Sequence, residues 1–153
     1  MELKHRFPEK AAPEGLSYIQ KFAAGFGIHD MKRAKRLPNT RRALALAEYA
    51  RDQGKLDEFR QKTMDAHWKE DKDIEDGAVL ADIARASGLD PEQALLAADS
   101  PSYLRRVDAA RLEYKKVGVG GIPTFVLGSE KIEGCRPYEI LAEAALRQGA
   151  KRR

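Results

Sequence analysis

The 153-residue sequence predicts an α/β chain in which a block of consecutive helices leads into a short strand pair and a closing helix. The segment Gly118-Val119-Gly120-Gly121-Ile122-Pro123-Thr124-Phe125-Val126-Leu127-Gly128 packs a flexible loop, a proline and an apolar strand into one junction. The residues after it read as a second strand, Glu130 to Gly134, and a helix, Pro137 to Gln148. Between Pro38 and Gly118 the chain shows repeated helix starts and stops.

The helices come in order. Asn39 or Thr40 can cap a helix that runs to about Gln53, with Leu44, Ala47 and Ala50 along one face and Gly54 as its stop. Leu56, Phe59, Met64, His67 and Trp68 belong to a second helix, from about Asp57 to Trp68. Asp76 caps a third, Ala78 to Ser87, with Val79, Leu80 and Ile83 as its apolar stripe and Gly88 as its terminator. Asp90-Pro91-Glu92-Gln93 reads as a capping box with proline at the first helical position. Ser100-Pro101 repeats the device for a last helix that ends near Gly118, with Leu104, Val107, Arg111 and Tyr114 on one face. Proline has no backbone N–H, so Pro123 stands at the mouth of the strand Thr124 to Leu127 rather than inside it. An arbitrary X-Pro bond is cis in about one case in twenty, and composition alone makes Pro123 a trans strand-starter.

The strand-turn-strand-helix run from Gly118 resembles the C-terminal half of a thioredoxin fold, in which the corresponding proline is cis. Gly118 to Val126 and Gly134 to Glu139 resemble the wording of the DsbA-like branch, which includes bacterial dithiol oxidoreductases, 2-hydroxychromene-2-carboxylate isomerases and kappa-class glutathione transferases. Pro38-Asn39-Thr40 leading into Ala43 to Ala50 looks like the first helix of that branch's inserted helical domain. The resemblance runs from about Leu3 to Leu146. It implies a thioredoxin-like fold with an inserted all-helical domain at 39–114, the thioredoxin-like part being 1–38 and 115–150. Glu2 to Phe7, with Pro8 and the Pro13-Glu14-Gly15 turn, resembles the family's second strand. By that resemblance the first strand, the active-site motif and the first helix are expected upstream of Met1. A strand-helix unit needs roughly 30 residues, and no spare stretch of that length is left. Without the first strand, two apolar edges are expected to face a gap. An incomplete product, closure of the edges on each other or on a second copy, or a strand from another polypeptide would each account for it.

Composition fits a globular protein: 42% of residues are hydrophobic and 34% charged. No apolar run approaches the roughly 18 residues that span a membrane, and Met-Glu-Leu-Lys-His-Arg is not a signal peptide. The single cysteine excludes an internal disulfide framework and is ordinary for a reducing compartment, so a cytoplasmic location is expected. The net charge of +4 comes with basic clusters at Lys32 to Arg36, Arg41-Arg42 and Lys151 to Arg153. However, 24 acidic residues are spread between them and no aromatic interleaves the clusters, which argues for solvated surface or steering of anionic substrates over nucleic acid.

The chemistry the resemblance implies is thiol-disulfide exchange. A thiolate at a helix N-terminus attacks a substrate disulfide, and a second cysteine resolves the mixed disulfide, so two thiols are the minimum. This chain has one cysteine, Cys135, on the turn before the last helix and outside the family's motif. No catalytic residue is therefore assigned within the chain. Cys135 reads as a semi-buried turn residue or as a reactive thiol. The resemblance implies substrate binding at Gly121, Ile122 and Pro123, where the backbone of Ile122 can pair with an extended peptide or with glutathione. Asn39 is a further candidate facing the cleft, set against its role as a helix cap. His67 with Glu70 supplies two metal ligands, too few for a site. Asp71 to Gly77 departs from a calcium loop, its glycine one position late and Asp82 in the bidentate glutamate's place. No metal and no cofactor are expected, with glutathione as a candidate substrate. The leading function is a DsbA-like oxidoreductase domain lacking its dithiol. The alternatives are a non-catalytic peptide- or thiol-binding module using the cis-proline groove, or a glutathione-dependent isomerase or transferase. A thiol or disulfide substrate, protein or glutathione, is the expected partner, with no membrane and room for a homodimer.

Overall fold

The computed structural model describes residues 19–32 and 37–151. The strand expected at Glu2 to Phe7, the turn at Pro13 to Gly15, residues 33–36 of the first basic cluster and Arg152-Arg153 lie outside the described residues. The chain divides into two compact units, Met1–Asp108 and Ala109–Arg153.

In the first unit, after a helical stretch at 19–24, come α1 (Arg41–Asp52), α2 (Leu56–Trp68), α3 (Gly77–Ala86) and α4 (Pro91–Ala98), and α5 (Pro101–Lys116) begins. The starts of α3 and α4 are fixed by side chains. The Asp76 carboxylate accepts the Ala78 N–H at 2.7 Å, and that of Asp90 accepts the Gln93 N–H at 2.8 Å, satisfying donors that have no partner within the helix. Pro91 opens α4, where its missing N–H costs no helical hydrogen bond. α3 ends in a Schellman motif. Gly88 takes a left-handed φ of 76°, the N–H of Leu89 reaches the Ala84 carbonyl at 2.9 Å, and Leu89 turns into the core.

α1 packs on α2 and α4, and α3 on α2 and α4, around one apolar core. Ala43, Leu46 and Ala50 of α1, Phe59 and Ala66 of α2, Leu80, Ile83 and Ala84 of α3, and Ala94 and Ala98 of α4 form it, with Ile74 and Leu89 from the connections. Phe59, Leu46 and Leu80 are its largest fully buried side chains, each worth about 1.5–3 kcal/mol of apolar burial. Two expected stripes shift. On α1 the buried face is 43, 46 and 50 together with Ala45, while Leu44 is 49% exposed, because α2 and α4 both pack against α1 and their positions select its inner face. On α2, Met64 is 53% exposed and Ala66 is buried instead. None of the residues of α5 is buried, so Leu104 and Val107 of its expected stripe are half-buried and Arg111 and Tyr114 exposed.

The second unit holds the end of α5, the antiparallel pair β1 (Thr124–Leu127) and β2 (Glu130–Glu133), and α6 (Tyr138–Arg147). The register is Thr124 with Glu133, Phe125 with Ile132, Val126 with Lys131 and Leu127 with Glu130, leaving Gly128-Ser129 as a two-residue turn. Gly128, at φ 59°, supplies the positive φ that such a tight hairpin needs at its first turn position. A Cβ there would also run into the Gln148 side chain. Arg147 of α6 holds the Glu130 carboxylate through two bonds of 2.7 and 3.1 Å, which ties the closing helix to β2. Among the described residues of this unit Ala144 is the one buried apolar side chain, while Phe125, Val126, Ile140 and Tyr138 are exposed.

Candidate functional site

Proline at the strand mouth and glycines before it leave residues 118–123 as a loop whose ends are fixed by hydrogen bonds. Lys131 Nζ of β2 donates to the Gly118 carbonyl at 2.6 Å. The Thr124 hydroxyl donates to the Gly121 carbonyl at 2.6 Å, and the Gly134 N–H donates to the Pro123 carbonyl at 2.8 Å, extending the β1–β2 pairing by one step. The Ile122–Pro123 peptide is cis. Ile122 is 93% exposed, an unusual position for a β-branched apolar residue on a loop pinned at both ends. Among the described residues neither its N–H nor its carbonyl has a hydrogen-bond partner, so its backbone is open to an extended chain laid against it. A Cβ at Gly120 or Gly121 would meet nothing within 4 Å, so this approach is unobstructed by the chain around it.

Gly121, Ile122 and Pro123 therefore form one continuous exposed element. Cys135 follows the Gly134 that bonds Pro123, which sets the thiol next to the same strand end, and the residue is exposed rather than semi-buried. The Arg136 side chain beside it donates back to the Glu133 carbonyl at 3.0 Å. One exposed thiol can form a mixed disulfide, and it has no second cysteine in the chain to resolve it.

Asn39 belongs to the first unit and acts at the start of α1. Its side-chain oxygen accepts the Arg41 N–H at 3.1 Å, and its own N–H donates to the Glu75 carboxylate at 3.0 Å. Thr40, the residue just before the helix, makes no side-chain cap. The neighbouring arginines are held by carboxylates distant in sequence. Arg41 grips Asp108 through bonds of 2.6 and 2.8 Å, and Arg42 grips Asp99 through two of 2.8 Å, so these basic residues serve the helical packing.

A second polar cluster joins α1 and α5, and no local sequence signal marks it. Arg106 meets Asp52 at 2.6 Å and Glu48 at 2.8 Å and lies over the Tyr103 ring, which packs edge-on against Tyr49. The Arg106 hydrogen bond holds the Asp52 carboxyl below the ordinary aspartate range, and partial burial pushes the Tyr103 phenol up. On α2, hydrogen bonds from Gln61 and then Lys69 likewise hold the Asp65 carboxyl low. His67 packs edge-on against Trp68 with ring centres 4.7 Å apart.

Comparison with known proteins identifies the framework. The DSBA-like thioredoxin domain matches residues 8–145. A crystal structure of a probable DsbA oxidoreductase from Streptomyces coelicolor superposes with a TM-score of 0.83 at 22% identity, covering 99% of this chain and 66% of that one. The chain thus spans just under two thirds of that protein's length, and the likeness shows a DsbA-like thioredoxin fold, here with mostly helical content. No curated protein matches. Because the family's match takes in both the helical block and the Pro123 loop with its strand pair and closing helix, the chain belongs to the DSBA-like thioredoxin domain family.

Proposed function

We propose that the chain is the substrate-binding portion of a DsbA-like thiol-disulfide oxidoreductase, with the Gly121-Ile122-Pro123 loop as the backbone rail for its substrate. The observation that carries this reading is the 93% exposure of Ile122 on a pinned loop in a chain of this family. An extended peptide beside the loop would donate to the Ile122 carbonyl and accept from its N–H, main-chain pairing that tolerates many sequences. Exchange then needs a thiolate to attack the substrate disulfide, releasing one substrate thiolate and forming a mixed disulfide. A second thiol displaces the remaining substrate sulfur and leaves the protein oxidised and the substrate reduced. With Cys135 as the one cysteine, that dithiol would be carried by polypeptide outside these 153 residues. The exposure of Phe125, Val126 and Tyr138 in the second unit, and a span of 66% of the Streptomyces protein's length, support the same reading.

In this proposal residues 39–114 are the inserted helical domain, and 1–38 with 115–150 the thioredoxin-like part. The branch is that of the 2-hydroxychromene-2-carboxylate isomerases and kappa-class glutathione transferases, on the wording of Gly118 to Val126 and the placing of Asn39. The location is cytoplasmic and the substrate a thiol or disulfide of a protein or of glutathione. The test is the intact mass of the protein in its native cells, with sequencing of its N-terminal peptide. A product heavier than 17.1 kDa carrying Cys-x-x-Cys upstream of Met1 supports the oxidoreductase. A mature protein that starts at Met1 overturns it. The single cysteine favours a second reading in that event, a non-catalytic peptide- or thiol-binding module that uses the same loop and gives no turnover in an insulin-reduction assay.

A further inference from the structure

Charge is placed unevenly along the chain. Residues 1–108 balance their acidic and basic side chains, and the whole net charge of +4 falls in 109–153, where nine basic residues stand against five acidic ones. Three of the nine form the tail Lys151 to Arg153. Four others flank the Gly118 to Pro123 loop, and among the described residues no carboxylate pairs with them. On one side α5 runs directly into the loop, the Gly118 N–H donating to the Lys115 carbonyl and the Val119 N–H to the Tyr114 carbonyl, both at 3.1 Å. Arg111, Lys115 and Lys116 are exposed on that last stretch of helix. On the other side the Gly134 N–H bonds the Pro123 carbonyl, and Arg136, two residues on, is exposed with its side chain on the Glu133 carbonyl. The strand carboxylates are already engaged, Glu133 lying 3.6 Å from the Lys131 ammonium and Glu130 held by Arg147. Glu113 and Glu139 remain, two acids against four cations. The dipole of α5 favours cations in its last turn and so accounts for Lys115 and Lys116. It does not account for Arg136, or for Arg111 one turn further in. Arg111 and Lys115, four residues apart on one face, repel each other, and no ion pair among the described residues offsets that cost.

We propose that the extended substrate of the Gly121-Ile122-Pro123 loop is an acidic peptide, its carboxylates meeting Arg111, Lys115 and Lys116 on one flank and Arg136 on the other. The inference rests on the reading of that loop as a backbone rail and adds the chemistry of the chain laid on it. Backbone pairing at Ile122 is indifferent to sequence, so selection falls to the charges on either side.

The test is an NMR amide titration of the full 153-residue chain at about pH 7, where carboxylates are ionised. Three end-capped peptides are used. One has two acidic residues on each side of an Ala-Val-Ala centre, the second has Asn and Gln in place of Asp and Glu, and the third is the acidic peptide with its central amides N-methylated. At low ionic strength the acidic peptide should shift the Gly120, Gly121 and Ile122 signals saturably and bind about threefold to tenfold more tightly than its neutral analogue. About 0.5 M salt should erase most of that difference. Lys115→Gln with Lys116→Gln should do the same and leave the neutral peptide unchanged, while N-methylation should weaken the acidic peptide severalfold. Equal affinity of the acidic and neutral peptides, with N-methylation still weakening binding, would overturn the acidic substrate and keep the rail. Binding that ignores N-methylation, or that shifts Lys151 in place of the loop, would overturn the rail and this inference with it. A thymidine oligonucleotide of the same charge that bound more tightly at the same signals would also overturn the proposal, making the partner a nucleic acid.

Discussion

Leu46 and Leu44 lie two positions apart on α1, and the structure gives them opposite roles. Leu46 is completely buried among the core side chains of the first unit, whereas Leu44 is 49% exposed. Truncating Leu46 to alanine removes the transfer free energy of the lost carbons and leaves a cavity that α2 and α4 cannot fully close. Together these cost about 2–5 kcal/mol. For a chain of this size each kcal/mol lowers Tm by about 2–4 °C. Leu44→Ala changes partly solvated surface on a helix that favours alanine, so it should stay within about 1 kcal/mol of the parent. Urea unfolding should be followed by Trp68 emission, which reports the first unit, and by far-UV circular dichroism, which reports both units. Non-coincident curves would mean that the two units unfold separately, and the comparison then rests on the Trp68 signal. A Leu46→Ala loss below about 1 kcal/mol, or a Leu44→Ala loss as large as that of Leu46→Ala, would refute the assignment of the inner face of α1.

Asp90→Ala removes the acceptor for the Gln93 N–H and should cost about 0.5–2 kcal/mol in the same unfolding experiment, with Asp90→Asn close to the parent. Gly128→Ala forces a Cβ onto a positive φ and into Gln148, and should lower stability by about 1–2 kcal/mol in thermal melts. Adding Gln148→Ala should relieve only the side-chain part, and full recovery would show that φ carries no cost. The hydrogen bond from Arg147, helped by its charge, holds the Glu130 carboxyl below its ordinary range. A depressed folded pKa contributes stability above the unfolded value, and that contribution is lost as pH falls below about 4.3 and through the folded value. Glu130→Gln should therefore flatten the acid side of the stability profile of the second unit, and an NMR titration placing Glu130 at or above the ordinary glutamate value would contradict the pairing.

The signals that act within four or five residues were legible in the chain itself. Asp76 and Asp90 cap the helices they precede and Gly88 ends α3. The strand Thr124–Leu127 begins directly after Pro123, because caps, positive-φ glycines and a missing N–H impose their geometry on immediate neighbours. The Gly121-Ile122-Pro123 loop was likewise marked by its own residue types. Which face of a helix turns inward depends on what packs against it. Leu44 and Met64 carry the periodicity of core residues and yet lie outside, while Ala45 and Ala66 are buried. Partners far apart in sequence were equally out of reach. Arg41 meets Asp108, Arg106 meets Asp52, and Lys69 at the end of α2 meets Asp30. No local pattern encodes those contacts, since each joins residues far apart in sequence that lie side by side only once the chain has folded around the apolar core of α1 to α4.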